Sequence, residues 1–352
     1  MKIVIVDADM LGRKKQRFPN LACMKLSAFY KKMGNDVTLA ASWDDVLDAD
    51  AAHVSKAFTE TPVPDFVFGR ENVFLGGTGF NSYNPAPLPD EIEHIMPDYD
   101  LYTPFIAAGH DWKYHRDFSI GYTTRGCFRH CSNCVNRDSV SAVRHSPVSE
   151  FLDPARKYIC LLDDNVLACK DWREIFAELN DTGKRFQYKQ GLDVRLLTDE
   201  KCRVIFKSNW IGDYIFAFDH IEDRDLIEEK IRLMRGYTDV VPKFYVFCGY
   251  RPTSWAQDIA DLFERIRILG SYRCLPYVMR HENYKDSPHR GMYDTIARWC
   301  NQPSFVKKKT FHEFVYETAG QNKAAPRHAE AFAYWHPDIA DKYYHMRWGD
   351  PT

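Results

Sequence analysis

Three cysteines stand close together near the middle of this chain, in the run Gly126-Cys127-Phe128-Arg129-His130-Cys131-Ser132-Asn133-Cys134. Cys-x3-Cys-x2-Cys spacing supports two kinds of chemistry. Three thiolates on one loop can wrap one face of a 4Fe-4S cubane, whose fourth iron then has no protein ligand and is open to a small molecule. The same thiolates can hold zinc, with His130 completing a Cys3His site. A third reading, three inert core cysteines, fits poorly with Arg125, Arg129 and His130 in the same polar loop. A redox cluster with four protein ligands would need another cysteine nearby. Cys160, Cys169, Cys202, Cys248, Cys274 and Cys300 are scattered through apolar strand or helix patterns, as is Cys23, and read as core residues.

What positions the triplet is the strand before it. Six β-rich runs follow one another at 118–122, 158–162, 186–190, 214–218, 244–248 and 274–279. Amphipathic helical patterns fill the gaps: 172–179 ending near Gly183, 199–206 after a Thr198 N-cap, 226–234 ending at Gly236, and a helix opened by Ser254 with Gln257 and closing before Gly270. Alternating strands and helices predict parallel sheets covered by helices, closed as an open barrel or laid out as a doubly wound sheet. In either case ligands gather at the carboxyl ends of the strands, and the cysteines follow the first of them.

Other polar groups fall at the same edge. The second strand runs into Asp163-Asp164-Asn165, the third into Gln190-Gly191-Leu192-Asp193-Val194-Arg195, the fourth into Asp219-His220 and the fifth into Gly249-Tyr250. Caps and solvated turns explain most of these equally well. Tyr277, Val278 and Met279 on the sixth strand suit either an apolar ligand or the core.

Before residue 115 a smaller α/β block is expected, with strands at 3–6, 37–40, 66–68 and 73–75 and a helix over 21–33 that Gly34 ends. Gly76-Gly77-Thr78-Gly79 follows the last strand, then Pro85, Pro87, Pro89 and Pro97 lead into a linker at 102–115. After Pro288 the pattern turns helical and aromatic. The expected domains are therefore 1–114, 115–285 and a helical extension, 286–352.

Composition narrows the setting. The chain has 352 residues with 47 Lys+Arg against 49 Asp+Glu, so no global basic field draws it to nucleic acid. Local contact is still compatible with Arg298-Trp299-Cys300-Asn301-Gln302 and Lys307-Lys308-Lys309 beside Phe305 and Phe311, although a solvated helix end is the default. No run approaches the roughly 20 apolar residues of a membrane span. The apolar start, 3–6, is too short for a signal peptide, so a cytoplasmic setting with reduced thiols is expected.

Taken with their place after the first of six βα units, Cys127, Cys131 and Cys134 resemble the signature of the radical S-adenosylmethionine superfamily. The resemblance implies a (βα)6 partial barrel over 115–285 in which the three cysteines hold a 4Fe-4S cluster. The open iron would chelate S-adenosylmethionine, and one electron would cleave it to a 5′-deoxyadenosyl radical that abstracts hydrogen from an unidentified substrate. It further implies a flavodoxin- or ferredoxin-like reducing partner. Asn133, where the family usually has an aromatic residue, would lie near the adenine; Asp163 or Asp164 would meet the cofactor's ammonium group. Gln190, Asp193 and Arg195 would meet its ribose and carboxylate, with Gly249, Tyr277 and Val278 lining the rest. The first block resembles, more loosely, the cobalamin-binding-like domain that precedes many such cores, through Asp7-x-Asp9-x-x-Gly12, Phe18-Pro19-Asn20-Leu21 and Gly76-Gly77. Asp9 stands where that motif has the axial histidine, so lower-axial ligation is not supported; bound cobalamin and a degenerate domain that recognises substrate or merely packs both stay open.

Overall fold

The structure is a computed structural model and describes residues 1–13, 16–80, 87–107, 112–317 and 323–351. Pro85 and part of the expected linker lie outside the described residues. The contacts divide the chain into two compact units: 1–190 with 209–211, and 191–208 with 212–352. This division by packing differs from the three domains expected by chemistry.

The first unit begins with a four-stranded parallel sheet in the order β2-β1-β3-β4, where β1 is Lys2–Asp7, β2 Asp36–Leu39, β3 Ala51–Ser55 and β4 Val73–Gly76. β1 is central and apolar on both faces. Ile3 and Ile5 join one core with Cys23, Met24 and Trp112, while Val4 and Val6 join another with Ala40, Val46 and Val67. A parallel strand buried on both faces needs this continuous apolar run. The helix Leu21–Lys32 is capped by the Asn20 side chain and ends before Gly34, whose φ of +76° an L side chain would rarely adopt. One expected strand is missing. Residues 66–68 instead contribute to a 3-10 turn, Asp65–Val67, started by Pro64, which cannot donate to a strand ladder.

The same unit contains β5 (Phe118–Gly121), the two-residue strands β6 (Thr124–Arg125) and β7 (Val143–Arg144), β8 (Tyr158–Leu161) and β9 (Arg185–Tyr188). β5, β8 and β9 form a parallel sheet in chain order, and β6 pairs antiparallel with β7. The helix Trp172–Asp181 connects β8 to β9 and stops short of Gly183, at φ +68°.

The second unit has its own parallel sheet in chain order, β10 (Ile215–Ala217), β11 (Lys243–Cys248) and β12 (Leu275–Arg280). Thr198 caps Asp199–Ile205 by accepting the Lys201 N–H, and Ser254 caps Trp255–Ser271 by accepting the Gln257 N–H. That last helix runs through Gly270 rather than ending before it, because its buried face from Ile259 to Leu269 carries the final turn. Helices Arg290–Cys300, Phe311–Glu317, Ala324–Trp335 and Pro337–Tyr343 complete the unit. Trp299, Phe311, Phe314 and Tyr343 are buried among them. All six strands expected over 118–279 are thus present and parallel, in two three-stranded sheets. No helix among the described residues is long and apolar enough to cross a membrane.

Candidate functional site

The three cysteines sit in the loop between β6 and β7, just beyond the carboxyl end of β5. The antiparallel β6-β7 pair closes the base of this loop, and the His145 N–H donates to the Thr123 carbonyl at 2.9 Å beside it. Entry into the loop requires glycine. Gly126 has φ +88°, and a Cβ there would run into the Ser141 carbonyl and the Ser139 hydroxyl. The turn is then set by the backbone, with the Cys134 N–H donating to the Cys131 carbonyl at 2.9 Å. Of the ten reduced cysteines only Cys127, Cys131 and Cys134 are half-exposed; the other seven are buried.

The donor set suits a thiolate cluster. Soft sulfur ligands select iron–sulfur clusters, and hydrogen bonds to those sulfurs tune them. Asn165 Nδ2 donates toward Cys127 Sγ at 3.4 Å, and the Asn136 N–H toward Cys134 Sγ at 3.4 Å. Among the described residues no three His, Cys, Asp or Glu side chains, the cysteine triplet included, converge on one ion position, so the arrangement by itself separates neither metal reading; His130 Nδ1 is engaged by the Arg137 carbonyl at 2.6 Å.

The adjacent acids have separate tasks. Asp163 is buried, and its carboxylate accepts the Thr123 N–H at 2.7 Å, the Thr124 N–H at 3.1 Å and the Thr123 hydroxyl. It ties the end of β8 to the start of the cysteine loop and presents no oxygen outward. Asp164, half-exposed, accepts the Gly126 N–H at 2.9 Å, so the expectation that one of this pair faces a cofactor now falls on Asp164 alone. Asn133 is half-exposed in the cysteine loop, and Gln190 is exposed after β9.

The site candidates in the second unit are largely occupied by neighbours. Arg195 donates to Asp193 at 2.8 Å and to Asp223 at 2.8 Å. At Gly249, φ +77°, a Cβ would meet Tyr284 at 2.7 Å, so its glycine is needed for the chain's own packing, and its N–H donates to Asp258 at 3.0 Å. Val278 is buried, with both backbone groups engaged by Asn301 at 2.7 and 3.0 Å, which makes it a core residue pinned at the sheet edge. Tyr277 remains exposed and packs against the ring of Tyr245. In the basic aromatic stretch, Trp299 and Phe311 are buried and Lys309 pairs with Glu317 at 2.6 Å, while Arg298, Lys307 and Lys308 are exposed.

Burial pushes the Asp163 carboxyl up to about 7, and the nearby Asp164 charge adds to this, against the pull of the Thr123 and Thr124 donors. The unfolded chain would ionise it near 4, so the folded state holds this proton across the interval between. The stability it contributes is complete below about pH 4 and is lost as the pH rises through about 7. Asp163→Asn mimics the protonated form. Its stability relative to wild type should therefore rise with pH across that window, by up to about 1.4 kcal/mol per pH unit, and level off on either side. Urea unfolding at a series of pH values measures it, and a pH-independent difference would refute the assignment.

A second group of charges, not foreseen from sequence, braces the loop. Glu93 Oε1 receives Lys25 Nζ at 2.8 Å, Arg125 Nη2 at 3.2 Å and His145 Nε2 at 3.4 Å. Lys25 comes from the helix Leu21–Lys32, so the first sheet's cover reaches the residue two before Cys127. Arg125 also lies 3.5 Å over the Tyr122 ring. Burial raises the Glu93 carboxyl, but Lys25 and Arg125 outweigh that and hold it below the usual range. Burial, with Arg125 beside it, pushes His145 down to about 4 and keeps it neutral at pH 7.

The residue in the axial-ligand position of the first block does not fit cobalt ligation. Asp9, in the motif's histidine position, is buried and accepts the Ala57 N–H at 2.6 Å, the Phe58 N–H at 3.4 Å and the Thr61 hydroxyl. Its carboxylate fastens the connection after β3 and has no oxygen left for a metal. Nearby Asp7, pushed up to about 6 by burial, is held by Tyr102 at 2.7 Å.

No protein-family model and no curated protein sequence matches the chain. The architecture, however, is one found among radical S-adenosylmethionine enzymes. In particular it is similar to TsrM from Kitasatospora setae, a radical S-adenosylmethionine methyltransferase solved with cobalamin and a [4Fe-4S] cluster bound. The TM-score is 0.52 at 10% identity, covering 79% of this chain and 72% of that one. OxsB, a cobalamin-dependent S-adenosylmethionine radical enzyme solved with aqua-cobalamin and S-adenosylmethionine, gives a TM-score of 0.39 at 11% identity, covering 99% of this chain and 57% of its own. At this identity the likeness to TsrM is one of fold alone.

Proposed function

We propose that this chain is a radical S-adenosylmethionine enzyme whose 4Fe-4S cluster is held by Cys127, Cys131 and Cys134. The observation that carries the reading is the triplet's position: three half-exposed cysteines in one loop at the carboxyl end of a parallel strand, in a chain whose other seven cysteines are buried. When bound, the cluster and S-adenosylmethionine supply a reductive cleavage that yields a 5′-deoxyadenosyl radical for hydrogen abstraction. The protein's part is orientation. Gly126 and the β6-β7 pair shape the loop, Asn165 and the Asn136 N–H donate to cysteine sulfurs, and Asp164, half-exposed beside Gly126, is the proposed partner of a cofactor's ammonium. Asn133, Gln190, Asp193, Arg195, Gly249, Tyr277 and Val278 complete the proposed cofactor set, of which Gly249 and Val278 would act through backbone.

The (βα)6 partial barrel over 115–285, with a cobalamin-binding-like but non-ligating block before it and a helical extension after it, is part of the same proposal. Six parallel strands in the expected order support it. The setting is reducing and cytoplasmic, the electron comes from a flavodoxin- or ferredoxin-like partner, and the substrate is unidentified. Anaerobic purification tests the reading: brown protein with about four irons per chain, as the cubane requires, bleaching on reduction and forming 5′-deoxyadenosine from S-adenosylmethionine. Colourless protein with one zinc per chain would sink it.

A further inference from the structure

The second unit contains a cleft that the functional reading does not use. Its volume is about 330 Å³, within the range of small-molecule sites, and it is lined by Arg280, Asp294, Thr295, Arg298, Ala324 and His328. Arg280 is the last residue of β12, so the cleft opens at the carboxyl edge of a parallel sheet, where α/β proteins bind ligands. The other walls are the helices Arg290–Cys300 and Ala324–Trp335. They approach closely at Gly291, where any Cβ would overlap the His328 ring, and this contact fixes the imidazole in place.

The charges in the cleft do not cancel. Asp294 supplies its one carboxylate, already spent on the Arg280 guanidinium and on the Tyr284 hydroxyl at 3.1 Å. Arg280 is held from a second side by the Tyr284 ring, 4.8 Å below it, and is therefore pre-organised. Thr295 donates its hydroxyl to the Gly291 carbonyl at 2.7 Å. Arg298 is different: it is exposed, and its guanidinium has no hydrogen bond or ion pair among the described residues. His328, whose ionisation burial and the Arg327 charge both disfavour, adds a neutral imidazole. A free fork of N–H donors beside a pinned guanidinium suits bidentate hydrogen bonding to two oxygens of a phosphate or a carboxylate.

We propose that this cleft is an oxyanion-binding site, with Arg298 as its principal ligand and Arg280 and His328 in support, for a molecule carrying a phosphate or carboxylate group. Arg280, Arg298 and His328 are not among the proposed cluster ligands, so binding can be tested on full-length protein without metal. Titration calorimetry with inorganic pyrophosphate and, separately, with citrate, at constant ionic strength, should show one saturable site per chain. The tighter of the two identifies the class of acid. Arg298→Ala should weaken binding at least tenfold, and Arg298→Lys should recover only part of it because the bidentate fork is lost. Asp294→Asn, which removes the competing carboxylate, should tighten binding severalfold. Absence of saturation in wild type up to 10 mM (about −3 kcal/mol, weaker than a specific site), or equal affinity of wild type and Arg298→Ala, overturns the proposal. Neither result bears on the iron content, and a zinc-loaded protein that binds pyrophosphate would overturn only the cluster reading.

Discussion

Cys131→Ala should leave the protein folded, lower its iron from about four per chain to well under one, and reduce 5′-deoxyadenosine formation by at least a hundredfold, to background. The fold should survive because Cys131 is half-exposed and the turn it occupies is made by its carbonyl, which accepts the Cys134 N–H. Substitutions of this kind away from the core cost within about 0.5 kcal/mol. The cluster should not survive, since two thiolates cannot cover the three irons that the loop must hold. Cys160→Ala is the matched control. Its thiol lies in the core at β8, so it should lower stability by about 1 kcal/mol and leave iron bound. Iron and deoxyadenosine analyses beside thermal melts separate the two. If Cys131→Ala kept its iron, or Cys160→Ala lost it, the ligand assignment would fail.

The cysteine triplet could be read from sequence because its spacing is local. Likewise, the six strands of 118–279 could be read from short apolar runs between capping residues, and Thr198, Ser254 and Gly34 mark helix ends where the structure has them. What could not be read depends on pairing across long separations. Whether six strands share one sheet is such a question, and the structure has them as two sets of three. The acids after β8 illustrate the same limit: Asp163 and Asp164 are neighbours in sequence, yet only the fold shows that the first is sealed against Thr123 and the second is not. Asn165 could have been suspected as a polar residue following both. Nothing in the sequence links Glu93 to Arg125, 32 positions away, or Lys25 to either. At residues 66–68 an aromatic β-rich triplet suggested a strand, but Pro64 and the 3-10 turn it starts prevailed over propensity.

Glu93→Gln should destabilise the first unit by about 3 kcal/mol, a typical cost of removing one partner from a buried ion pair. Lys25 is the reason. Its side chain is 6% exposed and Glu93 its bonded acid at 2.8 Å, so with glutamine there the ammonium must stay charged without a counter-ion or give up its proton. Arg125 suffers less, being 41% exposed and stacked on Tyr122, and water can hydrate it. With a urea dependence of about 3 kcal/mol per molar, the unfolding midpoint should fall by about 1 M. The double variant Lys25→Met with Glu93→Leu should regain most of the loss, because a buried pair replaced on both sides by apolar groups costs little. The two stable proteins then differ in one informative respect. In the double variant Arg125 has lost its anchor two residues before Cys127, so iron retention during gel filtration should fall although stability has returned. Were iron retention instead to track stability in both variants, Glu93 would serve the fold alone, and the link from the helix Leu21–Lys32 to the cysteine loop would have no bearing on the cluster.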